Sequence, residues 1–139
     1  MATATLSPTP NRNLAQIRAL NAVKAAEDAV FAGQNGGEVA KKIPAYIIES
    51  GLLGALAFAL EKGGGHLEVF EAVLEHLKSD GINDPTARNA ADPEAWFEEL
   101  AKADVSQLRA ATAETMAYLA FLRRFAKKES KQEKDHGEQ

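Results

Sequence analysis

Between Ile43 and Leu60 the chain is apolar on nearly every side of a helical wheel, through Ile43, Tyr46, Ile47, Ile48, Leu52, Leu53, Leu56, Phe58 and Leu60. A helix of this kind has to be enclosed, by other helices or by lipid. Lipid is the poorer fit. Pro44, Glu49 and Ser50 interrupt the stretch, and its unbroken apolar part, Gly51 to Leu60, is too short to span a bilayer. The expectation is a central core helix that the rest of the chain must cover.

The rest of the chain supplies helices to do so. Alanine and leucine number 41 of the 139 residues, against 11 valines and isoleucines. The first pair are strong helix formers, whereas β-branched residues favour strands. No stretch alternates apolar and polar residues over a strand length, and no Asn-Gly pair joins two β-branched runs. The fold class expected is all-α, a compact bundle of about five helices with flexible termini.

Glycine and proline set the divisions. A first helix is expected from about Asn13 to Ala32, with Leu14, Ile17, Leu20, Val23 and Val30 inward and Arg18, Asn21, Lys24 and Asp28 on a polar face. The second begins between Glu38 and Pro44 and ends at Lys62, before Gly63-Gly64-Gly65. Its Gly51, Gly54, Ala55 and Ala59 give it a side that a neighbour can approach closely. The third, about His66 to Ser79, turns Leu67, Phe70, Val73, Leu74 and Leu77 inward and carries an outer stripe of Glu68, Glu71 and Glu75. After a loop over Gly81 to Ala91, Asp92-Pro93 opens a short helix burying Trp96, Phe97 and Leu100. Asp104-Val105-Ser106-Gln107 caps a last helix that buries Leu108, Ala111, Met116, Leu119, Leu122 and Phe125. The domain reading is a disordered lead-in over 1–12 with no signal-peptide pattern, one helical domain over 13–127, and a frayed charged tail over 128–139.

Catalytic chemistry finds little to work with. There is no cysteine, which removes thiolate nucleophiles and cysteine-bound metals. The three histidines are scattered: His66 and His76 fall on different sides of the third helix, and His136 lies in the tail. A di-iron bundle needs two inward Glu-x-x-His pairs, and the single match, Glu133 to His136, is in that tail. No Gly-x-Ser-x-Gly or phosphate-loop spacing occurs. The expectation is a non-enzyme without cofactor or metal.

Charge is more informative in its distribution than in its sum of −4. His66 to Asp104 holds ten acids and three bases; Arg123 to Lys134 holds six bases and two acids. One account of the basic end is that Arg123, Arg124, Lys127 and Lys128 offset the negative end of the last helix dipole. The other is a basic surface that meets RNA backbone or an acidic partner.

Two blocks carry a family resemblance. Lys41-Lys42-Ile43-Pro44 through Ile48-Glu49-Ser50-Gly51-Leu52-Leu53 to Ala57-Phe58-Ala59-Leu60 is one. Asp104-Val105, Thr112-Ala113-Glu114 and Leu119-Ala120-Phe121-Leu122-Arg123-Arg124-Phe125-Ala126 make the other. Together they resemble the small α-helical subunit of the Cmr-type (type III-B) CRISPR RNA-guided effector complex. The resemblance covers roughly a third of the chain and does not extend over residues 63–103. It implies a non-catalytic, cytoplasmic structural subunit in antiviral and anti-plasmid defence. Its copies would stack as a filament along the guide–target RNA groove, beside the backbone and large subunits. Lys42, Arg123 and Arg124 match basic positions of the family pattern and are the RNA-binding candidates. Lys41, Lys127 and Lys128 join them by proximity. Pro44, Gly51, Leu52 and Phe125 match as fold residues. The alternative from another class is a helical protein–protein adaptor that touches no RNA.

Overall fold

The computed structural model describes the backbone of residues 11–27 and 34–137, and the side chains of residues 11–27 and 38–125. Among these residues there are five helices and no strand: α1 (Leu14–Glu27), α2 (Gln34–Lys62), α3 (Gly64–Lys78), α4 (Pro93–Lys102) and α5 (Val105–Gly137). The lead-in over 1–10, the end of the first helix with Asp28 and Val30, and the side chains of the tail lie outside the described residues.

Helix starts follow local hydrogen-bond chemistry. Asn13 and Gln16 cap α1 reciprocally: Gln16 N donates to Asn13 Oδ1 at 2.8 Å and Asn13 N donates to Gln16 Oε1 at 2.9 Å. Asp92 accepts from Ala95 N at 2.9 Å with Pro93 at the first helical position, and Asp104 accepts from Gln107 N at 2.8 Å. The loop before α4 is pinned from inside. Trp96 Nε1 donates to Thr86 Oγ1 at 3.0 Å, and the Thr86 hydroxyl donates to the buried Asp84.

The central helix departs from expectation in two ways. It begins at Gln34, so Pro44 lies within it. It is also not one rod, because Gly51 leaves helical geometry at φ 79°, ψ 167°, a region essentially restricted to glycine. Twelve residues of straight helix span about 18 Å, yet the Tyr46 and Phe58 rings lie 5.5 Å apart. The segments 34–50 and 52–62 therefore meet at a corner. Their inner sides bury Ile43, Ile47, Leu52, Ala55, Leu56 and Ala59. Residues 38–62 have the length and hydropathy to cross a membrane, but the corner and this packing make them the core of a bundle.

Against that core pack Val69, Phe70, Val73, Leu74 and Leu77 of α3, Trp96 and Leu100 of α4, and Ala111, Tyr118, Leu119 and Leu122 of α5. Leu67, Phe97, Leu108, Met116 and Phe125 are half-buried around its edge. The enclosure of α2 is incomplete, since Ile48 is 74% and Phe58 41% exposed.

The inner face of α1 is the main correction. Leu14 and Leu20 are exposed, Ile17 and Val23 half-buried, and the fully buried residue is Ala22. Arg18 and Asn21, read as solvent-facing, point inward instead. Small side chains at Ala22 and Ala25 let the helix lie close, and its polar groups find the buried His76 on α3 and the half-buried Glu114 on α5.

Candidate nucleic-acid interface

Lys41, Lys42, Arg123 and Arg124 are all exposed. Lys41 makes a loose i,i+3 pair with Glu38 at 3.8 Å, which leaves its charge available to a partner. Arg123 and Arg124 lie on α5 just past the buried Leu122. The α5 backbone continues through Lys127 and Lys128 to Gly137, while the side chains of both lysines lie outside the described residues. No hydrogen bond or ion pair among the described residues joins Lys41 or Lys42 to the arginines.

Lys42 has a different neighbourhood. At the corner of α2, Tyr46, Phe58 and His66 form a ring cluster, and Lys42 and Lys62 both act on His66. Burial first, and then the charges of Lys62 and Lys42, push the His66 pKa below its ordinary value. Lys62, Tyr46, Phe58 and His66 were not among the sequence candidates. Their juxtaposition depends on the break at Gly51, which helical periodicity does not reveal.

The second polar assembly is internal. Arg18 of α1 donates from Nε and Nη2 to the two oxygens of Glu114 on α5, at 2.8 and 2.7 Å. His76 of α3 sits 2.9 Å from the same carboxylate through Nε2, and Asn21 Nδ2 donates to its Nδ1 at 2.9 Å. Tyr118 stacks on the imidazole at 4.1 Å and 10°. Burial is the leading influence on His76 and lowers its pKa despite the opposing pull of Glu114. Burial acts to raise the Glu114 pKa, but hydrogen bonds from Arg18 and His76 hold it below the usual carboxylate range.

This assembly has the residue types of a hydrolytic site without its geometry. The Ser79 hydroxyl donates to the His76 carbonyl at 2.6 Å and accepts from Asn21 at 3.0 Å, so its proton is not directed at the imidazole. Both imidazole nitrogens are engaged in cross-helix contacts. Beside it a cleft of about 470 Å³ opens between α1 and α3, with Lys24 and the exposed Glu68, Glu71 and Glu75 along its walls. Among the described residues no group of three His, Asp or Glu is arranged to hold a metal ion.

The model of a protein family, CRISPR-associated protein (Cas_Cmr5), matches residues 14–129. The chain belongs to the Cas_Cmr5 family. No curated protein and no solved structure matches it. The match begins at the first residue of α1 and runs into α5, so it reaches all five helices. It includes residues 63–103, where the sequence alone offered no resemblance. A Cas_Cmr5 chain is a CRISPR-associated subunit of the Cmr complex, and both groups of exposed cations lie inside the matched region.

Proposed function

We propose that this chain is a non-catalytic structural subunit of a type III-B CRISPR effector in antiviral and anti-plasmid defence. It stacks with further copies of itself along the guide–target RNA groove, beside the backbone and large subunits, in the cytoplasm. Lys41, Lys42, Arg123 and Arg124, with Lys127 and Lys128 farther along α5, contact RNA phosphates. Such contacts position a strand without reading its sequence. Base pairing with the guide does the reading.

The family match over residues 14–129 carries this reading. The charge pattern supports it. An acidic stripe on α3 and a basic end on α5 give the molecule unlike faces, which a head-to-tail stack requires. Few phosphates can be neutralised by one copy, so RNA affinity is expected to be weak in the isolated chain at physiological salt and to become strong in the assembly.

Co-expression with the other effector subunits and a CRISPR RNA tests the assignment. The expected result is a complex containing the RNA and more than one copy of this chain. Recovery of the chain within a protein assembly free of RNA would favour the adaptor alternative.

A further inference from the structure

Tyr46, Phe58 and His66 make a three-ring cluster at the surface. Tyr46 meets Phe58 edge-on at 5.5 Å, Phe58 meets His66 edge-on at 5.4 Å, and Tyr46 and His66 stack at 6.0 Å. Phe58 is 41% exposed and Tyr46 half-buried, and Lys42 and Lys62 are exposed beside them. Lys42 lies one turn before Tyr46 and Lys62 one turn after Phe58, each on its ring's side of the helix. Both charges bear on His66, which is 9% exposed and hydrogen-bonds to no other described residue.

Lys42 and Lys62 are both exposed and share the helix faces of Tyr46 and Phe58, so the surface beside the rings carries positive charge and attracts an anion. The adjoining start of α3 adds to that attraction. Its N-cap, Gly63, offers no side-chain acceptor, and a Cβ at Gly63 or Gly64 would meet nothing within 4 Å. The first turn of α3, which carries His66, presents the positive end of that helix's dipole. An acidic side chain would answer the lysines but leave the ring unused. A nucleotide answers both, with its phosphate toward the cations and its base on the ring. The bases inside a duplex are covered on both faces, so a surface ring suits an unpaired strand.

We propose that Lys42, Lys62, Tyr46, Phe58 and His66 form a nucleotide subsite for single-stranded RNA. The lysines hold a phosphate, and the open face of Phe58 stacks on the neighbouring base. The subsite rests on the RNA-contact reading above and adds to it a role for the bases, independent of their sequence.

The test is NMR titration of the full chain with single-stranded hexaadenylate and with an abasic oligomer of equal length. The expected result is ring-current shifts at Phe58, Tyr46 and His66, together with a rise in the His66 titration midpoint as phosphate offsets the lysines. Affinity for hexaadenylate should exceed that for the abasic oligomer on the order of fivefold or more. Phe58→Leu, which keeps an apolar side chain of similar size, should bring the two affinities together. Lys42→Gln with Lys62→Gln should weaken both. Equal binding of the two oligomers by the native chain, no ring shifts at the highest concentration, or an unchanged ratio in Phe58→Leu would overturn the subsite. So would shifts at these rings produced by raising protein concentration without RNA, since they would mark a contact between copies. In the assembled complex, target-RNA retention lost with Arg123→Glu and Arg124→Glu but kept in Phe58→Leu sinks the subsite alone. Retention insensitive to all these changes sinks the RNA reading itself.

Discussion

His76 and Glu114, on α3 and α5, lie 2.9 Å apart, and the carboxylate of Glu114 also receives both arms of Arg18 from α1. One carboxylate therefore ties three helices together. The consequence is largest for α1, which buries little apolar surface: Leu14 is 46% and Leu20 50% exposed. Its attachment is carried by Ala22 and Ala25 at close range and by Arg18 and Asn21 as hydrogen-bond donors. Glu114 also falls within a sequence block that carries the family resemblance, so that block holds a packing device as well as surface cations.

Glu114→Gln should destabilise the folded chain by about 1–3 kcal/mol, because the half-buried Arg18 and the buried His76 keep their positions and lose a charged acceptor. Urea unfolding of the two proteins measures this directly. A loss below about 0.5 kcal/mol would rank the contact with ordinary surface ion pairs. Paired with Arg18→Met in a double-mutant cycle, the substitution should show a favourable coupling between the two residues.

Acid should weaken the fold in two stages. His76 is held below its ordinary pKa of 6.5 by burial, so between that value and the lower folded-state pKa the unfolded chain binds more protons. Stability is then complete above about pH 6.5 and falls as pH falls. Glu114 is also held low, so its contribution is present above its ordinary value of 4.5 and is lost as pH drops below it. His66 adds to the first stage in the same direction. Denaturation midpoints at pH 7.5, 5.5 and 4 should decrease in that order, and His76→Gln should flatten the first step. A midpoint that rises between pH 7.5 and 5.5 would contradict the assignment of a buried, neutral imidazole.

Gly51→Ala should cost about 1–3 kcal/mol although a Cβ there would meet nothing within 4 Å. The cost lies in the backbone, since φ 79° with ψ 167° is a conformation that an L side chain rarely adopts. Thermal unfolding reads the loss. The same substitution should disturb the Tyr46–Phe58 contact, visible in the ring resonances, because only the corner brings those two residues together.

These cases separate what the sequence discloses from what it hides. Asp92-Pro93 and Asp104 announce their helices because a cap is a bond between near neighbours, and its geometry needs nothing from the rest of the fold. Phe70, Leu77, Trp96 and Leu119 are legible because apolar burial and helical period agree at those positions. On α1 they disagree. Periodicity assumes that leucine goes inside and arginine outside, and it has no knowledge of a carboxylate on α5 that makes the reverse arrangement favourable. Gly51 is hidden for another reason: one glycine in an apolar helix is usually tolerated without a break. The grouping of Lys42, Lys62 and His66 follows from that break and is hidden with it. Lys41, Lys42, Arg123 and Arg124 were visible as exposed cations, but exposure alone does not say what they meet.

Arg123→Glu combined with Arg124→Glu should leave the chain folded and reduce target-RNA retention by the assembled complex. Both side chains are exposed and neither belongs to the buried network, so melting should shift little. The competing account is that these cations merely offset the negative end of a helix dipole, and it makes a different forecast. The α5 backbone reaches Gly137, about four turns beyond Arg123, and dipole effects fade within the last turn. A dipole role at Arg123 and Arg124 is therefore weak from the outset. Phosphate contacts have a signature that the dipole account lacks, since each one lost lowers the slope of log affinity against log salt. The double reversal should lower both retention and that slope, with the change multiplied by the number of copies in the stack. Retention unchanged at low and moderate salt would assign the arginines to protein contacts and favour the adaptor alternative.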